Sequence, residues 1–487
     1  MSRGNPTGPA FPWKIFSVVL IGTFLGPIGG LMVGVALPTL SREYQTDVNS
    51  TIWVLLSYLV MTTFMLPIVG RLGTQYGLKR IYVSGFLIDL LGTVLCAMAP
   101  TSSIAYLVAY RVIQALGSVM VFALFSAIIT RYVPEERRGM AFGMTGGMVA
   151  ISMLIGFPLA GALCAHAGWP WIFWVQVPIQ LVGLIVGSMY LPDDRLGERQ
   201  AFSPLSVLSW LGLTTGFAVI AECFKGNLSS QLLGWLGPAW LFCLAGFYFA
   251  ERGVTPLFEY SIFRRRPFWV CALGLMLNNF VIQVWLIFTT YYLEDYLGMD
   301  QLQSGRLLGL SLLATFFSAP LAGRLVDRIG QRRPLLAGLV INLLSMLTMA
   351  MGLRQGSMPV LSIGIVLLGL GGGLFNAPAM STMMSTVPDE QQAKASSVNS
   401  LTRNIGFLLG ASGGALLFSA FLVNSGPQGH AYLQAFQSAL LNPDTVPLEA
   451  FRFSFSGLLF VCAGLLLLAT LLAWKLPERV QREAAQG

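Results

Sequence analysis

Fourteen long apolar stretches, separated by short polar connections, take up most of this chain. A helix needs about 20 mostly apolar residues to cross the hydrocarbon core of a bilayer, whereas the strands of a membrane barrel are about ten residues long and alternate in polarity. The sequence therefore predicts an all-α, polytopic membrane protein with 14 transmembrane helices, over residues 13–40, 51–72, 81–99, 102–130, 139–165, 169–191, 203–224, 231–250, 268–290, 304–326, 334–353, 358–384, 395–424 and 451–474.

The composition supports a membrane protein and argues against an enzyme. Of the 487 residues, 55% are hydrophobic and 10% are charged, whereas soluble domains carry about 25% charged residues. The six cysteines are scattered and are expected to be small core residues, and the two histidines are isolated. We predict no metal site and no cofactor. The sequence shows no nucleophile–base set and no phosphate-binding loop.

The net charge of +8 reflects the predicted topology. Most of the 29 Lys and Arg residues fall in alternate loops, on the same side as the N-terminus. This bias places both termini in the cytoplasm of a protein of the cell (inner) membrane, and it needs no nucleic-acid partner. Arg111 and Arg403 are exceptions, because they fall inside predicted spans. The first apolar stretch is too long for a signal-peptide core, so we interpret it as an uncleaved helix.

One short pattern of basic residues and glycines occurs twice, at Gly70–Arg80 and at Gly323–Arg333. The first copy follows the second predicted span, and the second copy follows the tenth. Two related halves with a site between them are typical of secondary transporters. The repeat predicts two six-helix bundles, at residues 1–191 and 268–487, with two extra central helices and their loops at 192–267.

Several short motifs occur in a fixed order along nearly the whole chain. They are Val35-Ala36-Leu37-Pro38, Trp53-Val54 with Tyr58, the two basic-glycine loops, Arg111-Val112-Ile113-Gln114, Trp169-Pro170-Trp171-Ile172-Phe173 and Arg403-Asn404-Ile405-Gly406. In this order they resemble the major facilitator superfamily, and specifically its fourteen-span drug:proton antiporter branch. The resemblance implies alternating access, a small-molecule substrate and coupling to protons.

The chain also departs from that family's pattern. Gly29 stands where proton-coupled members hold an acidic residue in the first span. Thr74 replaces the acidic residue of the first basic-glycine loop, although Asp327 keeps it in the second. The first span is rich in glycine, which favours close packing against other helices. The resemblance thus implies the scaffold but leaves the standard proton site degenerate.

Asp89 and Arg111 are candidates for proton coupling, because an ionisable group inside a span is costly unless it is paired. From the spacing, Asp89 lies about 15 Å and Arg111 about 13.5 Å from the same membrane face. We hypothesise that the two side chains pair and that a proton on Asp89 releases Arg111. The alternative is a static ion pair that locks a helical hairpin.

Polar and aromatic side chains in other spans are candidates for a substrate cavity. In the ninth span Asn279 and Gln283 share one helix face, and Asn278 shares another face with Trp285. The family resemblance implies that this helix lines the cavity with the first, fourth and twelfth. The full candidate set is Tyr58, Gln114, Asn278, Asn279, Gln283, Trp285 and Asn376. The alternative is hydrogen bonding between helices, worth about 0.6 kcal/mol each.

The two basic-glycine loops are predicted to form an inner gate. Their residues can bridge to carboxylates or to helix ends across the seam between the bundles and hold an outward-open state. The front copy is expected to hold the outward-open state less tightly than the rear copy, because Thr74 carries no charge. The predicted gate residues are Gly70, Arg71, Gly77, Arg80, Gly323, Arg324, Asp327, Arg328, Gly330 and Arg333.

Taken together, the sequence predicts a transporter that exports amphipathic organic compounds in exchange for protons. Two alternatives remain open at this point: a facilitator of a metabolite or lipid-like substrate without proton coupling, motivated by Gly29, and a sensor that keeps the transporter scaffold. The expected partners are a small-molecule substrate, protons and the lipid bilayer, and the expected oligomeric state is a monomer.

Overall fold

A computed structural model describes residues 11–46, 48–193, 203–224, 231–250, 260–299, 301–388, 391–437 and 446–478. Within these residues every regular element is helical and no strand occurs, so the all-α prediction is confirmed. The α-helices are α1 Trp13–Glu43, α2 Val48–Tyr76, α3 Leu78–Ala97, α4 Ile104–Phe122, α5 Phe125–Tyr132, α6 Arg138–His166, α7 Trp171–Trp174, α8 Val177–Tyr190, α9 Pro204–Phe224, α10 Gln231–Ala250, α11 Tyr260–Phe263, α12 Arg266–Tyr291, α13 Gln301–Ile329, α14 Arg332–Gln355, α15 Met358–Ser385, α16 Gln392–Val423, α17 Gly429–Gln437 and α18 Leu448–Trp474.

Helices form at all fourteen predicted spans, but two of the spans are interrupted. The fourth is divided into α4 and α5, and the sixth into α7 and α8. Twelve helices in the described ranges are long and apolar enough to cross a membrane. The inserted pair α9 and α10 is not among the twelve, so a count of fourteen crossings stays a prediction. Most of both loops around this pair lies outside the described residues.

The helices pack in two groups that follow the two halves of the chain. In the front group α3 packs on α4 and α8, α2 on α4, and α1 on α6. In the rear group α15 packs on α13 and α14, and α16 on α12 and α18. The groups meet where α6 contacts α13 and where α2 contacts α16. The domain boundaries within the chain stay a prediction.

The two basic-glycine loops have the same backbone conformation at the same position. Gly77 has φ 89° and Gly330 has φ 86°, a left-handed conformation that other residues rarely adopt. Each glycine ends one helix and allows the chain to turn directly into the next. The two loops lie at one end of the molecule, called the loop end here, with the start of α6 and the end of α18.

Glycines also explain how closely α3 and α4 approach each other. A Cβ atom on Gly92 would lie 2.4 Å from the backbone nitrogen of Gln114, and one on Gly117 would lie 2.0 Å from that of Asp89. Only glycine fits at these two positions. The absence of these two side chains therefore brings Asp89 and Gln114 against the neighbouring helix, which sets the geometry of the polar cluster described below.

Candidate functional site

A cavity of about 130 Å³ lies between the two groups of helices, near the middle of their length. The front group contributes α5 and α6, and the rear group contributes α12, α13, α15 and α16. The wall is largely apolar and aromatic; it includes Phe125, Phe142, Met153, Met380 and Phe407. A cavity of about 150 Å³ can bind benzene, so this space accommodates one aromatic ring or a group of similar size.

The structure places three of the seven predicted cavity residues in this wall: Asn279, Trp285 and Asn376. The side-chain nitrogens of both asparagines donate to carbonyls of their own helices, Asn279 to Leu275 at 2.7 Å and Asn376 to Gly372 at 2.8 Å. Trp285 is 4% exposed, and its indole nitrogen has no hydrogen-bond partner. The wall therefore offers an unsatisfied donor and two amide groups.

The other four predicted residues, Tyr58, Gln114, Asn278 and Gln283, do not line this cavity. Asn278 instead accepts a 2.7 Å hydrogen bond from Asn342 of α14. At Asn278 the structure therefore agrees with the alternative, a hydrogen bond between helices. Gln283 lies where α12 packs on Gly410 of α16. Tyr58 and Gln114 belong to a separate polar cluster in the front group.

Arg111 is the centre of that cluster and is fully buried. Its Nε donates to the carbonyl of Val54 at 3.1 Å, and its Nη1 donates to the carbonyl of Gly29 at 2.9 Å. Nη1 also donates to Oε1 of Gln114 at 2.6 Å. The guanidinium carbon lies 4.3 Å from the ring centroid of Tyr58. Arg111 thus links α4 to α1 and α2 through backbone carbonyls.

In the described part of the chain no ion pair joins Asp89 to Arg111, so the predicted direct pair is not formed. A chain of hydrogen bonds connects them instead. Gln180 Nε2 donates to Asp89 at 2.9 Å and lies 2.8 Å from the hydroxyl of Thr93. Gln114 Nε2 donates to the same hydroxyl at 2.8 Å. The positions of Asp89 and Arg111 along their helices predicted that the two charged groups lie at the same depth in the membrane. The orientation of each helix about its own axis instead places Thr93 between them.

A side chain at position 29 would lie beside Arg111 and would require a small shift of Tyr58. A Cβ at this position would lie 3.3 Å from the hydroxyl of Tyr58 and 3.7 Å from Oε1 of Gln176. An acidic residue here would therefore meet the polar cluster. In this chain the carbonyl of Gly29 takes one guanidinium hydrogen bond, so the arginine is stabilised without a carboxylate contact.

At the loop end, Asp327 connects the rear group to the front group. Its two carboxylate oxygens accept hydrogen bonds of 3.0 Å from the backbone nitrogens of Gly139 and Met140. These amides are in the first turn of α6, where the helix dipole favours an anion. Gly323 makes this approach possible, because a Cβ on it would lie 2.2 Å from the carbonyl oxygen of Gly139.

The front copy of the loop makes no equivalent contact through Thr74, whose hydroxyl donates to the carbonyl of Arg71 in its own helix at 2.8 Å. Elsewhere at this end Lys79 pairs with Asp193 at 3.4 Å, and Arg333 pairs with Glu478 at 3.1 Å. Arg80, Arg324 and Arg328 are exposed, whereas Arg71, Gly70, Gly77, Gly323 and Gly330 are buried. The gating role of these residues stays a prediction.

Arg403 was assigned no site role by the sequence, yet it lines the cavity. Its guanidinium carbon lies 5.7 Å from the ring centroid of Phe122, across the seam in α4. The sequence carried one signal, since Arg403 and Arg111 are the two basic residues inside predicted spans. Depth alone did not show that Arg403 faces the space between the groups.

The sequence matches the family described as Major Facilitator Superfamily over residues 19–411 and again over 284–486. The chain belongs to this superfamily. It is 27% identical over 438 residues to the riboflavin transporter RibZ of Clostridioides difficile (strain 630), covering 88% of this chain and 91% of that protein. It is 29% identical over 394 residues to the multidrug resistance protein Stp of Mycobacterium tuberculosis (strain CDC 1551 / Oshkosh), covering 80% and 73%.

Solved structures of the superfamily share the fold. The proton:xylose symporter XylE superposes with a TM-score of 0.66 at 14% identity, covering 97% of each chain. The human organic anion transporter MFSD10 superposes with a TM-score of 0.59 at 15% identity, covering 94% of this chain and 100% of that one. The superfamily membership and the helices make this chain a multi-pass membrane transporter, and the proteins that it resembles are not enzymes.

Proposed function

We propose that this protein exports amphipathic organic compounds from the cytoplasm by alternating access, in exchange for protons. The cavity between the two groups of helices carries this proposal, because its apolar wall with a few polar groups suits such substrates. At the loop end the Asp327 contact and a hydrogen bond between Ser126 and Ser396 join the groups. This end is assigned to the cytoplasm, so the described conformation has its inner gate closed.

Asp89 is the proposed proton site. It is 4% exposed, and the described residues supply it with a hydrogen bond from Gln180 but no cation. A carboxylate in such a place is costly when charged, which favours taking up a proton. Protonation would remove the charge that orients Gln180 and, through Thr93 and Gln114, would change the contacts of Arg111. Because Arg111 joins α4 to α1 and α2, this change would reach helices on both sides of the front group.

A second candidate is transport of a metabolite or lipid-like substrate without protons. Gly29 favours it, since the carbonyls of Gly29 and Val54 already satisfy two donors of Arg111 without a carboxylate. In this case Asp89 would only stabilise the packing of α3, α4 and α8.

Flux into inside-out proteoliposomes, with and without an imposed pH gradient, tests both candidates. We expect the wild-type protein to accumulate riboflavin or an amphipathic dye only when the lumen is acidic. Asp89→Asn should abolish this dependence and leave folding intact, because an asparagine oxygen can still accept from Gln180. The control Glu449→Gln removes an exposed carboxylate. Flux that is equal with and without the gradient would support uncoupled transport, and no flux in either condition would refute transport of these compounds.

A further inference from the structure

The cavity contains a cation whose charge is not balanced by the protein. Arg403 is the one charged side chain among the described residues of the wall. Its contact in the described structure is the ring of Phe122 at 5.7 Å, and no ion pair or hydrogen bond accompanies it there. A charge held inside the membrane is costly unless it is paired or hydrated. A guanidinium also presents five N–H donors in a planar fork, which matches carboxylate, sulfonate and phosphate oxygens.

A second donor lies in the same wall. The indole N–H of Trp285 has no acceptor in the described structure, although the side chain is 4% exposed. Trp285 lies on α12 and Arg403 lies on α16, which packs against α12. Gly410 and Gly414 of α16 lie beside Gln283 and Val284 of α12, so Trp285 lies well beyond Arg403 along the two helices, at a different depth of the wall. No acidic side chain of the described wall can accept from Arg403.

The rest of the wall fits the apolar part of a ligand. Phe125, Phe142 and Phe407 provide aromatic contacts, and the space holds about one ring. The side-chain acceptors of the wall are all neutral and offer little to an organic cation; they are the amide oxygens of Asn279 and Asn376 and the hydroxyls of Thr145, Ser311 and Thr315.

From these observations we infer that the substrate of this transporter is an organic anion, whose acidic group binds Arg403 and whose aromatic or alkyl part lies among the phenylalanines. This inference rests on the proposed transport function and adds the charge of the substrate. It also implies a link to the conformational change, since an anion that binds Arg403 competes with the ring of Phe122 across the seam.

Two compounds of the same size test the inference. Benzenesulfonate and benzenesulfonamide share one ring and differ in charge, and benzenesulfonate stays ionised and does not leak through lipid. Binding of each radiolabelled compound to the full-length protein in nanodiscs is measured by equilibrium dialysis, with empty nanodiscs as the blank. We expect the wild-type protein to bind the sulfonate about 10-fold or more tightly than the sulfonamide, since bonds to charged groups are the stronger ones.

Three variants locate the effect. Arg403→Gln should remove the preference for the sulfonate and leave sulfonamide binding within about two-fold, because only the charged contact is lost. Arg403→Lys keeps the positive charge and should keep part of the preference for the sulfonate. It therefore distinguishes loss of the charge from misfolding of the variant. Arg306→Gln, which removes an exposed arginine of α13, is the matched control.

Flux separates this inference from the proposed function. If the wild-type protein binds the sulfonate through Arg403 but carries neither benzenesulfonate nor a dye across proteoliposomes, the anion-binding site stands and the proposed transport function fails. If the protein transports a dye but shows no preference for the sulfonate, or keeps the preference in Arg403→Gln, the inference is overturned and transport stands.

Discussion

The two arginines inside the membrane helices are surrounded very differently. Arg111, in the front group, is fully buried and donates to two backbone carbonyls and one amide oxygen. Arg403, in the rear group, lines the cavity and faces an aromatic ring. Arg111 therefore holds helices of the front group together, whereas Arg403 in the rear group presents its donors to the cavity. Arg111 is thus held by the backbone of two other helices, with its Nη2 left without a partner, whereas the partly buried Arg403 has no hydrogen bond in the described structure.

The same contrast appears at the equivalent helix positions of the two halves. Gly70 and Gly323 are 253 residues apart, and so are Asp89 and Asn342. Both side chains are buried, and each bonds to an amide side chain of another helix. The front half has a carboxylate at this position and an uncharged Thr74 in its loop, whereas the rear half has a neutral amide and the Asp327 contact. We therefore expect the two halves to divide two tasks, the front half holding a buried charge and the rear half closing the loop end.

The largest expected effect comes from removing the buried arginine. Arg111→Gln leaves the carbonyls of Gly29 and Val54 without their charged donor, and we expect a loss of about 3–5 kcal/mol, because each hydrogen bond to a charged group is worth about 1.5–3 kcal/mol. Arg403→Gln should change stability by less than about 1 kcal/mol. Thermal unfolding of both purified variants in one detergent measures the difference. Equal losses would show that Arg403 is also a structural residue.

Opening of the loop end is expected to depend on the rear copy of the repeated loop. Asp327→Asn removes the charge that holds Gly139 and Met140, and charged hydrogen bonds are worth about 1.5–3 kcal/mol. We therefore expect Met380→Cys in the cavity wall to react about 10-fold faster or more with an impermeant maleimide added at the loop end.

The matched change in the front copy is Thr74→Val, which removes only a hydroxyl bonded within its own helix. It should alter the labelling rate by less than about two-fold. The parent protein, without the added cysteine, gives the background from its native thiols. Faster labelling in Thr74→Val than in Asp327→Asn would show that the front loop, rather than the rear loop, holds the loop end closed more tightly.

The sequence was sufficient for the helices and for the repeated loops, because apolar length and glycine-bounded turns are local properties. It was less informative about the cavity. Asn278 and Asn279 are adjacent on α12, yet the structure places Asn279 in the wall and Asn278 against Asn342. Helical spacing shows which residues share a face but does not show which face meets the cavity. Gln180 was missed for a related reason, since its partners lie on α3, far away in the sequence.

The smallest expected effect concerns the neutral counterpart of Asp89. Asn342→Leu removes the hydrogen bond to Asn278 and replaces the amide with an apolar group of similar size, so we expect a loss of about 0.6 kcal/mol. Asp89→Leu removes a hydrogen bond to a charged acceptor and leaves the amide of Gln180 with the hydroxyl of Thr93 alone, so it should cost more, about 1–3 kcal/mol. Denaturant titration of both variants in the same lipid measures the two losses. The pH dependence of flux should survive in Asn342→Leu and disappear in Asp89→Leu. If Asn342→Leu instead lost the pH dependence of flux, the proton site would lie in the rear half of the molecule, and the expected division of tasks between the halves would be wrong.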